Sequence, residues 1–345
     1  MEIQRIKLEE FSNSCLVKIG VPKQEAEIIT NTMIEADARG IHSHGIMRLP
    51  IYIERIQKGL ILKVANVSVE NETNASAVLN GNFSAGQVVA TKAMELAISK
   101  AKESSVGVVT VKNSNHFGIA AHYALKASEK NMIGIVMSNT SPLMPPIGGA
   151  EKVLGNNPLA ISAPTETSFP LLLDMALSNV ALGKILFAQT KGIPIPEGWG
   201  ADREGNVTTD PSLVLNGGFV LPAAGPKGFG LALMIEILTG VLSGGDFSKM
   251  IPSMYDLTQK QSISHFMLVI NVSDFMEIEN FKKRISLLSS YVKDAVKASG
   301  VKELYLPGEI EFKIEADRMK SGIPISEGVW LELQKLGESL QVRSL

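Results

Sequence analysis

Ser105–Asn139, SVGVVTVKNSNHFGIAAHYALKASEKNMIGIVMSN, is the stretch on which the fold turns. SVGVVTVKN reads as a strand, SNHFGI as a loop, AAHYALKASEKN as a helix and MIGIVMSN as a second strand. That order is a strand, helix, strand unit, and it predicts a mixed or parallel sheet within an α/β fold. It also puts His116 where the first strand hands over to the helix.

Upstream, SAVLNG reads as a short strand and QVVATKAMELAISKAKE as a helix. From Pro22 to Gly40, the residues Pro22, Ala26, Ile29, Met33 and Ala36 recur at steps of four and three, which is one helical face. Pro22 suits the first turn and Gly40 the position just past the end. With a second helix over Lys7–Ile19, this predicts a helical N-terminal unit whose apolar seam packs on the α/β part or on a partner subunit.

Downstream, FPLLLDM reads as a buried strand and SNVALGKILFAQTK as a helix. FGLALMIEILTGVLSG is apolar nearly all round, with Glu236 its only charge, so a buried helix is expected. The phrase GIPIPEGW at Gly192 returns as GIPISEGVW at Gly322, but the flanks share nothing and no repeat is drawn. SEGVWLELQKLGESL predicts a last helix capped by Ser326. The expected division is a helical domain over 1–75, joined by 320–345, and an α/β domain over 76–319.

The 345 residues suffice for two such domains, and a net charge of −2 offers no footprint for nucleic acid. Cys15 is the only cysteine, which excludes an internal disulfide or a thiolate cluster and suits a reducing compartment, the cytoplasm. No basic-then-apolar leader and no membrane-length apolar run is read.

Four of the five histidines fall in two segments, ARGIHSHGIMRLP and NSNHFGIAAHYA. Histidine carries protons near neutral pH, and oxidation of a hydroxyl needs one group to take its proton while hydride leaves carbon. His116 stands at a strand end, where α/β sites gather, or else belongs to a capped turn. His44 and Arg48 follow a glycine-terminated helix; Arg48 suits a carboxylate clamp, or else a surface ion pair. His42, His44 and His116 as metal ligands of a hydrolase form an alternative of another class. GPKGFGLAL, with Lys227 at the mouth of a glycine-rich loop, suits phosphate or merely close helix packing. Asp174 ends a strand, where it could meet a ribose hydroxyl or cap a helix. No G-x-G-x-x-G follows an early strand, so a dinucleotide would bind outside a Rossmann fold.

ARGIHSHGIMRLP, NSNHFGIAAHYA, SNTSPLMPPIGG, GNNPLAISAPT, LLLDMALS, IPEGWGADREGNVTTDP and LPAAGPKGFGLALMIEILTGVLSG together resemble the malate/L-lactate dehydrogenase family that lacks the Rossmann fold. The matches run in order from about Ile3 to Trp330. The resemblance implies a homodimer with a helical N-terminal domain and a non-Rossmann α/β domain, using NAD, with NADP as the alternative. It implies His116 as general acid/base, with His44 the other candidate, and Ser43, His44 and Arg48 beside the substrate. On the cofactor side it implies Thr140, Asp174, Met175, Ala176, Lys227, Pro307, Gly308 and Glu309. The expected reaction is interconversion of a 2-hydroxy acid and a 2-oxo acid by hydride transfer. AAGPKGFG and PSMYD lean toward the ureidoglycolate-oxidising members, with malate, lactate and sugar acids as alternatives. The chain departs from the usual family pattern at His42, Asn156, Leu177 and Leu182, the last two flanking the cofactor segment.

Overall fold

A computed structural model describes residues 1–343 and 345. Seven strands form the main sheet in the order β2-β3-β4-β11-β5-β6-β7: β2 Ser68–Glu72, β3 Ser76–Asn80, β4 Val106–Ser114, β5 Met132–Ser138, β6 Leu159–Ala163, β7 Leu171–Met175 and β11 Ile263–Asn271. Only β3 and β4 pair in parallel; the other neighbours are antiparallel. The sheet is therefore mixed.

The strand, helix, strand unit is present as β4, α5 (Ala120–Ser128) and β5, but its two strands are not neighbours. β11 lies between them, antiparallel to both. His265 on β11 explains part of that placement: its Nε2 meets Ser114 Oγ on β4 at 2.8 Å and its Nδ1 meets Ser138 Oγ on β5 at 3.0 Å. A buried polar ring needs such partners, and only the central position between these strands supplies both.

Helices cover both faces. On one, α4 (Gly86–Ser104) and α5 bury Val89, Met94, Ala97, Tyr123 and Ala124 against Val109, Val111, Val136 and Met267 of the sheet. On the other, α6 (Leu182–Lys191) and α8 (Pro226–Glu236) bury Ile185, Ala232 and Ile235 with Leu159 and Leu177. Beyond α6 a small sheet of β8 Gly200–Ala201, β9 Val207–Thr208 and β10 Phe219–Val220 is closed by α7 (Pro211–Leu215).

A separate core joins α1 (Arg5–Lys18), α2 (Lys23–Ala38), α3 (Leu49–Gln57) and the last helix, α11 (Glu327–Leu340), through Leu8, Phe11, Ile29, Met33, Ile53, Ile56 and Leu333. Burying each such side chain contributes about 1.5–3 kcal/mol. β1 Glu2–Ile3 pairs with β12 Ile323–Pro324, and the Ser326 hydroxyl caps α11 as expected. The seam on α2 is satisfied within the chain. Its far end, Ala36, packs on Ile119, Ala121 and Leu125 around α5. α2 thus spans from the helical core to the sheet and delivers the loop after it to the end of β4.

Two expectations are corrected. FPLLLDM is not a buried strand: β7 is an edge strand on which Leu172 is buried while Leu173 is 37% exposed. FGLALMIEILTGVLSG is not a buried helix either, because α8 and the π turn Ile237–Val241 sink only one side. Leu231, Leu233, Met234, Ile237, Val241 and Leu242 are 40–55% exposed. Among the described residues, nothing covers their outer sides. Among the described residues, no helix is long and apolar enough to cross a membrane.

Candidate active site

The loop that leaves α2 is held by one carboxylate. Asp37, 2% exposed, accepts from the Ile46 N–H at 2.6 Å and meets His42 Nδ1 at 2.8 Å. Gly45 is required between them, since a Cβ there would lie 2.1 Å from the Asp37 carboxylate. Around this anchor, His42–His44 and Ile46–Arg48 form two 3-10 turns. Ser43 Oγ lies 2.9 Å from His44 Nδ1, and Arg48 Nε donates to the Ser43 carbonyl at 2.6 Å.

His116 reaches the same place from the loop after β4. Phe117 fixes that loop by stacking on His265 at 4.5 Å and on Tyr123 at 5.0 Å, while Asn115 Nδ2 donates to the Ser84 carbonyl at 3.0 Å. The rings of His44 and His116 then stack, with centroids 5.3 Å apart and planes 22° from parallel. Tyr52 Oη lies 2.6 Å from His116 Nδ1.

Burial and the nearby Arg48 charge push the His44 imidazole down to about 4. Burial, then His44 and Arg48, hold His116 well below the ordinary histidine range. Both rings are neutral near pH 7. A neutral ring can take a proton and a neutral phenol beside it can pass one, so the pair can do acid–base work. Burial raises Tyr52, which keeps its hydroxyl hydrogen at working pH.

Arg48 completes the group. Its Nη1 donates to Met254 Sδ at 3.5 Å and to the Tyr255 hydroxyl. The 254–259 loop is placed by buried Arg55, which donates to the carbonyls of Met254, Asp256 and Gln259 at 3.0, 2.8 and 3.1 Å. None of the described residues takes Arg48 Nη2, which is left for an anion.

A separate cleft of about 390 Å³ is lined by Arg39 and Ile41 at the end of α2, by Ala121 at the start of α5, and by Asp174, Pro307 and Gly308; His44, Arg48 and His116 are not among its walls. Burial raises the Asp174 carboxyl to about 6, although it accepts a hydrogen bond from the Ala121 backbone. Asp174 is no cap for α6, which begins at Leu182 after an Ala181 cap. The 306–308 loop is tied to β7 by the Leu172 N–H donating to the Pro307 carbonyl at 3.1 Å. Glu309, at the start of α10 (Glu309–Ser321), is 5% exposed and braces that loop. Burial alone would raise its carboxyl, but the Leu306 N–H, Lys293 and Lys313 hold it near 2.

Met175 and Ala176 follow Asp174, half-buried. Thr140 lies at the exit of β5, its N–H on Asn157 Oδ1 at 3.1 Å. Lys227 is exposed in the first turn of α8, and its loop joins the Asp174–Ala176 segment through the Ala223 N–H and Leu177 carbonyl at 2.8 Å. Thr140 and Lys227 are not among the walls of the cleft. His42 turns to Asp37, and no group of three metal-binding side chains occurs among the described residues. Tyr52, Tyr255 and Arg39 were not singled out from the sequence as site residues. Tyr52 carried a usable signal, standing one helical turn after Arg48; Arg39 carried none.

The cleft fits a nucleotide. Its size falls in the range of small-ligand pockets, Asp174 can accept from a hydroxyl, and Ile41, Leu172 and Pro307 give apolar walls. The model of the malate/L-lactate dehydrogenase family matches residues 3–334. The chain belongs to this family. A malate dehydrogenase of Pyrococcus horikoshii is 40% identical, covering 100% of this chain and 97% of its own. The solved structure of malate dehydrogenase from that organism has a TM-score of 0.93 at 38% identity, over 100% and 97% of the two chains. L-sulfolactate dehydrogenase of Methanocaldococcus jannaschii is 41% identical over 94% of this chain and 93% of its own. Ureidoglycolate dehydrogenase (NAD(+)) of Escherichia coli K12 is 36% identical over 96% and 94%.

As a malate/L-lactate dehydrogenase family member, the chain is an oxidoreductase acting on CH–OH groups, with the family's non-Rossmann α/β fold. This displaces the hydrolase alternative. NAD(+) and NADP(+) both occur in the names of relatives, and the family uses one or the other. AAGPKGFG and PSMYD do not single out ureidoglycolate, since malate and sulfolactate enzymes are at least as similar.

Proposed function

We propose that this enzyme interconverts a small 2-hydroxy acid and its 2-oxo acid, with malate and ureidoglycolate the first two substrates to test. The observation that carries the reading is the neutral His44–His116 stack beside a fixed arginine, in a chain that also holds a cleft fit for a nucleotide at Asp174 and Pro307. Arg48 binds the substrate carboxylate, and Ser43 keeps its guanidinium in place. His116 takes the hydroxyl proton through Nε2 while Tyr52 holds Nδ1, and His44 polarises the developing carbonyl. The roles of the two histidines could be exchanged only by a group on His44 equivalent to Tyr52; Ser43, on Nδ1, is the weaker candidate.

Asp174, Met175, Ala176, Pro307 and Gly308, with Thr140, Lys227 and the bracing Glu309, hold NAD, or NADP in its place. When bound, the nicotinamide ring accepts or gives the hydride. The protein positions the acid and handles its proton. The exposed α8 face supports a homodimer, and the buried single thiol of Cys15 suits the cytoplasm. The expected helical part over 1–75 is shortened by β2, which already belongs to the main sheet at Ser68; the helical part is then 1–67 with 320–345, and the α/β part begins at Ser68 rather than at 76 and runs to 319.

The test is nicotinamide absorbance with NAD and NADP separately, across 2-hydroxy and 2-oxo acids. Turnover of one acid that survives chelator is expected. Silence across the panel, with no binding of either reduced cofactor, rejects the reading.

A further inference from the structure

Glu236 is the one charge in the apolar run Phe229–Gly244, and it is 3% exposed. A buried carboxylate is costly unless its oxygens are hydrogen-bonded. Here they are. Oε2 accepts from Asn157 Nδ2 at 2.6 Å and Oε1 accepts from the Ser248 N–H at 2.7 Å.

One of those donors also holds Thr140: Asn157 Oδ1 accepts the Thr140 N–H at 3.1 Å. Asn157 is wholly buried, at φ +23°, and its Nδ2 donates both to Glu236 and to the Ala232 carbonyl at 2.9 Å. With both amide hydrogens drawn toward α8, the amide oxygen must face Thr140. Thr140 Oγ1 donates in turn to Asn156 Oδ1 at 3.0 Å. The knot has no slack: a Cβ on Gly155 would lie 2.1 Å from Thr140 Oγ1 and 2.6 Å from Asn157 Oδ1.

We infer that Glu236 is a positioning residue for the cofactor, acting through Asn157 to hold the Thr140 segment, outside the walls of the Asp174 cleft, in the orientation that meets the dinucleotide. This rests on the NAD(P) reading above. The same helix carries Lys227 at its exposed start, so α8 sets two cofactor-side positions at once, one directly and one through a hydrogen-bond relay. A glutamine in place of Glu236 could accept only through one oxygen and would point an N–H at one of the existing donors.

Fluorescence titration of NADH and NADPH on the full chain tests this, for wild type, Glu236→Gln, Asn157→Gly and the double variant, with thermal melts alongside. Glycine tolerates the positive φ at 157 while deleting the relay. The Kd of the preferred reduced cofactor should rise about tenfold in each single variant and no further in the double, as for two members of one chain of contacts. KM for the hydroxy acid at saturating cofactor should stay put. Melting temperatures that fall while Kd does not move would make Glu236 a structural staple and overturn the inference. If Glu236→Gln shows no cooperative melt, Asn157→Gly decides alone. Absence of cofactor binding by wild type is a different result: it removes the NAD(P) reading itself.

Discussion

The hydroxyl of Tyr52 lies 2.6 Å from Nδ1 of His116, so the second nitrogen of that ring is the one left for substrate. A phenol can donate to Nδ1 or accept from it, and the choice decides whether Nε2 carries a lone pair or a proton. Oxidation needs the first state and reduction the second. Tyr52→Phe keeps the ring packing but removes this control. Its kcat should fall about ten- to a hundredfold in both directions, below the hundredfold or greater loss expected on removing the base itself. Cofactor Kd should not change. Wild-type kcat in the phenylalanine variant would mean that Tyr52 has no part in proton handling.

The depressed imidazoles set a pH dependence. His44 sits near 4 and His116 well below its ordinary value, whereas an unfolded histidine titrates at about 6.5. Oxidation of the hydroxy acid should therefore hold a plateau from pH 7 through 6 and fall only at more acidic values. Stability follows the same sign. Each histidine favours the native state fully above about 6.5, and that contribution is lost as pH falls and the unfolded chain takes up protons first. A kcat/KM profile with its acid limb centred near 6.5 would show that these rings titrate as free ones.

The sequence exposed the parts whose signals are local. The Val-rich run of β4, the step of four and three on α2, and Gly40 beyond it all report on their own backbone. His44, Arg48 and His116 drew notice as residue types. What it could not show is pairing across long separations. Ile263–Asn271 carries no mark saying that His265 will sit between Ser114 and Ser138, and without that the two strands of the central unit look adjacent. Tyr255 meets Arg48 only because Arg55 pins its loop. The reading of α8 as buried failed for a related reason: its apolar surface is real, but half of it is not covered by this chain.

Asp174 stores a cost that pH can reveal. Burial raises its carboxyl from 3.8 to about 6, which makes the charged form unfavourable in the native state. The penalty is complete above pH 6 and absent below about 4, where folded and unfolded chains are both protonated. Asp174→Asn keeps an acceptor for the Ala121 N–H and removes the charge. It should stabilise the enzyme without cofactor by up to about 3 kcal/mol at pH 7.5, with the gain fading between pH 6 and 4. It should also weaken binding of the cofactor ribose. Urea unfolding at both pH values checks the first statement; an equal or negative effect at pH 7.5 would show that the carboxylate is not strained by burial.

In the proposed homodimer a second copy of the chain covers the exposed apolar face of α8. Leu233 and Met234 are 43% and 51% exposed on a helix that continues apolar through Val241 and Leu242. A glutamate at a free surface position changes stability by about 0.5 kcal/mol or less, whereas a charge forced into a self-complementary apolar interface separates the copies. Light scattering should give a dimer for wild type and a monomer for the variant carrying Leu233→Glu and Met234→Glu. The melting temperature of wild type should rise with protein concentration, and that of the variant should not. The relay from Glu236 gives the face a further consequence. Separating the copies frees the outer side of the helix whose inner side fixes Thr140, so the monomer should bind reduced cofactor more weakly than the dimer. A monomeric wild type with a concentration-independent melt would leave the face uncovered and reject the homodimer.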